Sequence, residues 1–277
     1  MFLVDWRMYP DRKSNTVRPK KSLGQHFLHD AAIAGRIVEA LQINSISPHV
    51  LEIGPGTGVL TRILIKCSDI DLKVVEIDRE SVAYLKKNYA ELKGRIIEGD
   101  FLKIELEEIF NGNFSIIGNF PYNISSQIFF KVLGMRDQVQ QVVCMLQKEV
   151  ADRIAAPPGS KTYGILSVLL QAYYDVEHLF KVMPGSFRPP PKVISAVIRL
   201  KRNSVQKLAC DEKLFVQVVK QAFNTRRKTL RNALKNLNLA AEIATLPLLD
   251  KRAEQLSVKD FEDLTLLIEK SRGAAGG

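Results

Sequence analysis

The sequence predicts an α/β protein, a mainly parallel sheet covered by helices, with a smaller all-helical domain after it. Three observations predict this. Short apolar runs alternate with amphipathic stretches from residue 49 to residue 172. The runs are apolar on both faces, as in strands sandwiched between helices. After residue 204 only helical periodicity remains.

The elements follow in order. Asp30 is placed to cap a first helix whose apolar face carries Ile33, Ile37, Val38 and Leu41. Strands are expected over 49–53, 72–77, 95–97, 114–117 and 139–146, with helices over 61–67, 81–89, 124–133, 149–154 and 163–172. Residues 176–183 and 193–200 read as a closing antiparallel pair at one edge. Helical patterns over 214–223, 226–237 and 256–270 complete the chain. These readings divide it into a flexible basic arm (1–24), a sheet domain (25–203), a helical domain (204–272) and a disordered tail (273–277).

Composition limits the classes of function. The 277 residues are 46% hydrophobic and 25% charged, a soluble globular profile. No apolar run is long enough for a transmembrane helix. Residues 1–21 mix Asp5, Arg7, Asp11, Arg12 and Lys13 with polar residues and lack an apolar signal core. A cytoplasmic protein without a membrane partner is expected, and a monomer. Cys67, Cys144 and Cys210 are far apart and the four histidines are scattered, so no disulfide framework or metal site is expected. The net charge of +10 favours an anionic partner, most simply nucleic acid.

The first strand runs into Gly54-Pro55-Gly56-Thr57-Gly58. Gly54 and Gly56 there let the backbone pass close to a ligand at the carboxyl end of a strand. Glu76 follows Gly54 by 22 residues, the distance at which an acid accepts the hydroxyls of a ribose. Asp100 ends the next strand, placed to accept from an adenine amino group. Such glycines alone also occur in nicotinamide and flavin enzymes; with the two acids, three such elements stand at the ends of successive strands, which is hard to obtain by chance.

Gly118-Asn119-Phe120-Pro121-Tyr122 follows the fourth strand. An exocyclic amino group on a base is a poor nucleophile because its lone pair is delocalised into the ring. Two acceptors for its N–H bonds localise that pair. Asn119 supplies an amide oxygen, and Phe120 a carbonyl held by Pro121 in extended backbone. Tyr122 offers a face on which a flipped base stacks.

These motifs together resemble the small-subunit rRNA adenine dimethyltransferases, the KsgA family. The match also takes in Leu23-Gly24-Gln25-His26-Phe27-Leu28, Met145 to Val150 and Phe187-Arg188-Pro189-Pro190-Pro191-Lys192-Val193. The resemblance implies a Rossmann-like class I methyltransferase domain with a seven-stranded sheet and S-adenosylmethionine as cofactor. It implies transfer of four methyl groups to two adjacent adenosines in a hairpin near the 3′ end of small-subunit rRNA. It implies cofactor contacts from His26, Leu28, Gly54, Glu76, Asp100 and Asn119, and a target base held by the Phe187 segment. His26 stands where the family usually has Asn, and Phe120 where it usually has Leu.

Between Leu214 and Ala241 there is no acid. On one helix, Arg227, Arg231 and Lys235 share a stripe, separate from Leu230, Ala233, Leu234 and Leu237. The basic stripe is expected to meet rRNA phosphates of an immature small subunit, with 12–21 a second candidate. The nearest rival is the related large-subunit rRNA methyltransferase of macrolide resistance; the run from Asn224 to Asn232 and the helical tail favour the small-subunit enzyme. A ribosome-assembly or transcription factor that only binds, or an oxidoreductase, fits less well.

Overall fold

The computed structural model describes residues 17–42, 47–105, 109–225, 227–237 and 239–274. The arm expected over 1–24 falls within them only from residue 17, and residues 275–277 of the expected tail lie outside them. The described strands are β1 (Phe27–Leu28), β2 (His49–Ile53), β3 (Asp71–Glu76), β4 (Ile96–Glu98), β5 (Phe114–Asn119), β6 (Val139–Gln147), β7 (Tyr174–Val182), β8 (Phe187–Arg188) and β9 (Ser195–Arg202). Seven of them form one sheet in the order β4-β3-β2-β5-β6-β9-β7. β2 runs parallel to β3 and β5, β3 to β4, and β5 to β6, while β9 is antiparallel to β6. This is the mainly parallel sheet the sequence predicts, with β7 and β9 at one edge.

Helices take both faces of such a sheet, which explains the unbroken apolar strands. Val50, Leu51, Val74, Ile116, Ile117, Val142 and Val143 are all buried. The helix Ala31–Glu39 starts where expected, with the Asp30 carboxylate accepting from the N–H groups of Ala32 (3.0 Å) and Ile33 (3.1 Å). From β2 the strand order runs outward through β3 to β4, then returns to β5 on the other side of β2. The carboxyl ends of β2 and β5 therefore flank the point where the order reverses, the usual ligand crevice of open α/β sheets. Gly118 draws these two ends together: a Cβ there would stand 2.6 Å from the Ile53 carbonyl oxygen.

The chain packs as two compact units, residues 1–151 with 177–202, and 152–176 with 203–277. The stretch 152–176, which the sequence reading leaves with the sheet, thus belongs with the C-terminal helices. The helix Ile165–Gln171 shows why. Leu166, Val168, Leu169 and Leu170 are all buried, leaving little of it for solvent. In the second unit the helices Glu212–Asn224 and Val258–Ala274 bring Phe223 and Phe261 to 5.9 Å between ring centroids, with Tyr163 6.2 Å from Phe223. The Tyr173 hydroxyl donates to Glu212 (2.9 Å), tying the earlier stretch to the later helices.

The single helix expected over 226–237 is not present. Leu230–Ala233 forms one short helix and Lys235–Leu237 a 3-10 turn. The Leu230 N–H donates to the Lys251 carbonyl (2.8 Å) and so cannot bond back into a preceding helical turn. Leu230, Ala233, Leu234 and Leu237 are buried, as their spacing predicts.

Glu52, in β2, is a buried carboxyl whose Oε2 accepts from the Thr61 hydroxyl (2.7 Å). Burial pushes its pKa up to about 8, the Thr61 hydrogen bonds oppose this, and the nearby Glu76 charge adds to it. The folded state therefore keeps a proton that the unfolded chain loses near pH 4.5. This stabilising contribution is complete below that pH and fades as pH rises through about 8. Glu52→Gln keeps the shape and stays neutral. Its stability advantage over the parent in urea melts should grow between pH 5 and pH 9; an advantage that does not change with pH would show that Glu52 ionises freely.

Candidate active site

A cleft of about 910 Å³, its open mouth included, lies at the carboxyl ends of β2, β3, β4 and β5. Leu23 to Phe27 line one side, Gly54 and Gly56 the floor, and Asn119 to Ile124 the far side. Glu76 and Asp100 both border it, with Ile77, Phe101 and Leu102 supplying apolar wall.

Glu76 ends β3 and is almost wholly buried. Its Oε2 accepts from the Gly56 N–H (3.0 Å) and its Oε1 from the Asp78 N–H (2.9 Å). Burial raises its pKa, while the backbone N–H groups of Asp78 and Gly56 pull it back. Each oxygen keeps a further lone pair for an acceptor role. Gly56 has φ +56°, and a Cβ on it would lie 2.7 Å from the Phe27 ring, so any larger residue would break the turn under Phe27. The Asp100 Oδ1 accepts from Leu102 N–H (3.0 Å).

Three groups outside the candidate site residues, Lys20, Gln25 and Asp78, tie the N-terminal segment to the end of β3. The Lys20 ammonium pairs with Asp78 (2.5 Å) and Glu80 (3.1 Å). The Gln25 amide also donates to Asp78 (3.5 Å) and accepts from the Lys20 N–H (2.9 Å). Asp78 is buried, which alone would raise its pKa, but hydrogen bonds from Lys20, Ser81 and Gln25 hold it below the usual carboxylate value. The only signal in the sequence is the acid directly after Glu76-Ile77, which also caps the helix Arg79–Asn88.

Asn119 is the last residue of β5 and sits on the cleft wall. Its Nδ2 donates to the His26 carbonyl (2.8 Å). A carbonyl only accepts, so this bond fixes which end of the amide is nitrogen and leaves Oδ1 for an acceptor role. Phe120 is buried against Phe129, and its N–H donates to the Met145 carbonyl (2.9 Å). The Tyr122 hydroxyl shares a hydrogen bond with Ser195 Oγ (2.5 Å), and burial raises its pKa. The His26 ring stacks on Tyr122, with centroids 5.4 Å apart and planes 26° apart.

His26 Nδ1 lies 2.8 Å from the Pro189 carbonyl oxygen. Next to it β1 pairs with β8, Phe27 opposite Arg188 and Leu28 opposite Phe187. The structure thus joins the Leu23–Leu28 segment to the Phe187 segment through a small sheet that the sequence did not reveal. Leu28 and Phe187 are both buried in the core, so neither side chain lies open to solvent.

In the second unit Arg227, Arg231 and Lys235 are exposed but lie on a turn, a short helix and a 3-10 turn, not on one helical stripe. Arg231 is also engaged, with Nη2 2.7 Å and Nε 3.0 Å from Asp250 Oδ1.

A family model described as ribosomal RNA adenine dimethylase matches residues 16–270. A ribosomal RNA small subunit methyltransferase A of Parabacteroides distasonis is 59% identical over 256 residues, 92% of this chain and 95% of the relative. Its counterpart in Cytophaga hutchinsonii is 58% identical over 252 residues, 91% of this chain and 98% of the relative. Among solved structures, a dimethyladenosine transferase from Plasmodium falciparum aligns with a TM-score of 0.74 at 28% identity, over 90% of this chain and 98% of that one. The 23S rRNA methyltransferase ErmE aligns with a TM-score of 0.61 at 25% identity, over 86% of this chain and 99% of that one. The mainly parallel sheet agrees with the fold of these solved structures, and the chain belongs to the ribosomal RNA adenine dimethylase family, as an enzyme that methylates adenine of ribosomal RNA.

Proposed function

We propose that this enzyme takes its methyl groups from S-adenosylmethionine and places four on two adjacent adenosines of a hairpin near the 3′ end of small-subunit rRNA. The substrate is an immature small ribosomal subunit and the enzyme acts as a monomer in the cytoplasm. Among the described residues no helix is long and apolar enough to cross a membrane. The observation that carries the reading is the Asn119 amide, whose nitrogen is spent on His26 and whose oxygen is left to accept.

The cleft suits the cofactor. Glu76 would take the ribose hydroxyls, Asp100 the adenine amino group, and Gly54 and Gly56 would let the chain pass close beneath. Asn119 completes the cofactor wall, and Leu28, whose side chain is in the core, would contribute through its main chain. The His26 side chain is engaged with Pro189 and Tyr122, so its share of that wall falls to its main chain. The bound cofactor supplies an electrophilic methyl group on a positively charged sulfur. Asn119 Oδ1 and the Phe120 carbonyl accept the two N–H bonds of the base and localise its lone pair, while Pro121 keeps the carbonyl in place. Tyr122 carries the base, and Phe187 supports the segment around it. Methylation would leave an excess proton on the amino nitrogen, and no side chain of the loop is needed to take it, since it can leave to water.

Labelled S-adenosylmethionine incubated with unmethylated small subunits, followed by digestion of the RNA, should give dimethyladenosine. Label found only in another nucleoside would overturn the reading.

Glu76→Ala removes a charged acceptor, worth about 1.5–3 kcal/mol. S-adenosylmethionine affinity should fall roughly ten- to a hundredfold in calorimetry; unchanged affinity would sink the assignment.

Asn119→Ala should lower the rate at saturating cofactor by about 10²–10³, the scale of one lost transition-state hydrogen bond. Its effect on RNA binding should be small, and near-normal turnover would remove Asn119 from the chemical step.

Arg227, Arg231 and Lys235 are proposed to face rRNA phosphates. Because Arg231 already pairs with Asp250, the test uses Arg227→Gln with Lys235→Gln. Substrate binding should weaken at low salt, and the slope of log affinity against log salt should flatten by about 0.7–0.9 per lost contact. Cofactor affinity should stay at the parent value. A parental salt slope would make these residues an ordinary solvated face.

A further inference from the structure

His26 stands at the meeting point of three segments of the cleft. Its main-chain carbonyl holds the Asn119 amide (2.8 Å). Its ring lies against Tyr122. Its Nδ1 is 2.8 Å from the Pro189 carbonyl, which only accepts, so Nδ1 carries the proton and the ring is held in one orientation. His26 and Tyr122 both border the cleft, and neither ring is wholly buried.

The spacing of the two rings decides how a base meets Tyr122. A base slipped between them needs the rings roughly 7 Å apart, twice the stacking repeat of about 3.4 Å. The observed centroid separation is 5.4 Å. The two rings are therefore too close for a base to enter between them.

We propose that His26 is a positioning residue for the acceptor base: its ring, pinned by Pro189, blocks one face of Tyr122, so the base stacks on the opposite face, in register with the Asn119 amide oxygen. This rests on the adenine reading given above. Tyr122 would otherwise present two faces to a flipped base, only one of them productive. His26 selects between them before the cofactor takes part. Because the Tyr122 hydroxyl is held by Ser195, the phenol does not turn away to offer the blocked face.

The test compares His26→Ala, which opens the second face, with His26→Phe, which keeps an aromatic ring against Tyr122 but loses the bond to Pro189. Both are assayed on unmethylated small subunits with saturating S-adenosylmethionine, and cofactor affinity is measured by calorimetry. His26→Ala should lose up to about tenfold in kcat with KM for the subunit falling in parallel, because a base bound on the second face is bound non-productively. His26→Phe should recover most of that kcat, and cofactor affinity should change by less than about twofold in either. Parental kcat in His26→Ala overturns the proposal. So does a His26→Phe variant as slow as His26→Ala, or a loss confined to cofactor affinity. The parent protein is assayed first; its failure to methylate adenine would count against the adenine reading itself, whereas a competent parent with an indifferent His26→Ala removes only the positioning role.

Discussion

Two backbone N–H groups, from Gly56 and Asp78, meet on one buried carboxylate at Glu76. This junction ties the turn after β2 to the end of β3. Without an acceptor there, two buried donors at the floor of the cleft would lose their partners, at a cost of about 1–3 kcal/mol each. With it, the turn takes a fixed form, Phe27 packs on Gly56, and the N-terminal segment carrying His26 comes over the cleft. His26 then holds Asn119. The chemistry of the loop after β5 thus depends on a hydrogen-bonded carboxylate two strands away.

The same chain of contacts explains why the cleft needs burial and charge together. A second acid, Asp78, lies next to Glu76, and Glu52 is buried in the strand beside them. Lys20 offsets part of this negative charge by pairing with Asp78. Glu52 carries no charge to offset below about pH 8, chiefly because its burial favours the protonated carboxyl, with the Glu76 charge adding to this.

Much of this was legible in the sequence. Buried strands show themselves as unbroken apolar runs, so the sheet, the glycine turn and the loop after β5 follow from local pattern. Asp30 likewise announces its helix because a cap is a contact between near neighbours. What stayed hidden is long-range. The pairing of Phe27 with Arg188 spans most of the first unit and involves strands of two residues, too short for any periodicity. The helix expected over 226–237 fails for a similar reason, since its start is set by Lys251, far along the chain. The ring of His26 against Tyr122 joins residues nearly a hundred positions apart, and nothing in either motif foretells it.

The place of β9 has a consequence for how the chain is made. β9 is the last strand in sequence, yet it lies between β6 and β7 in the sheet. During synthesis β6, nine residues long with an apolar run from Val142 to Leu146, is finished some fifty residues before the strand that covers its open edge. Until Ser195–Arg202 leaves the ribosome, a row of unpaired N–H and C=O groups on VQQVVCMLQ is available to any other strand. Folding of the sheet is thus held back by a late, non-local pairing, and the nascent chain is most exposed to misassociation in the interval between its sixth and ninth strands.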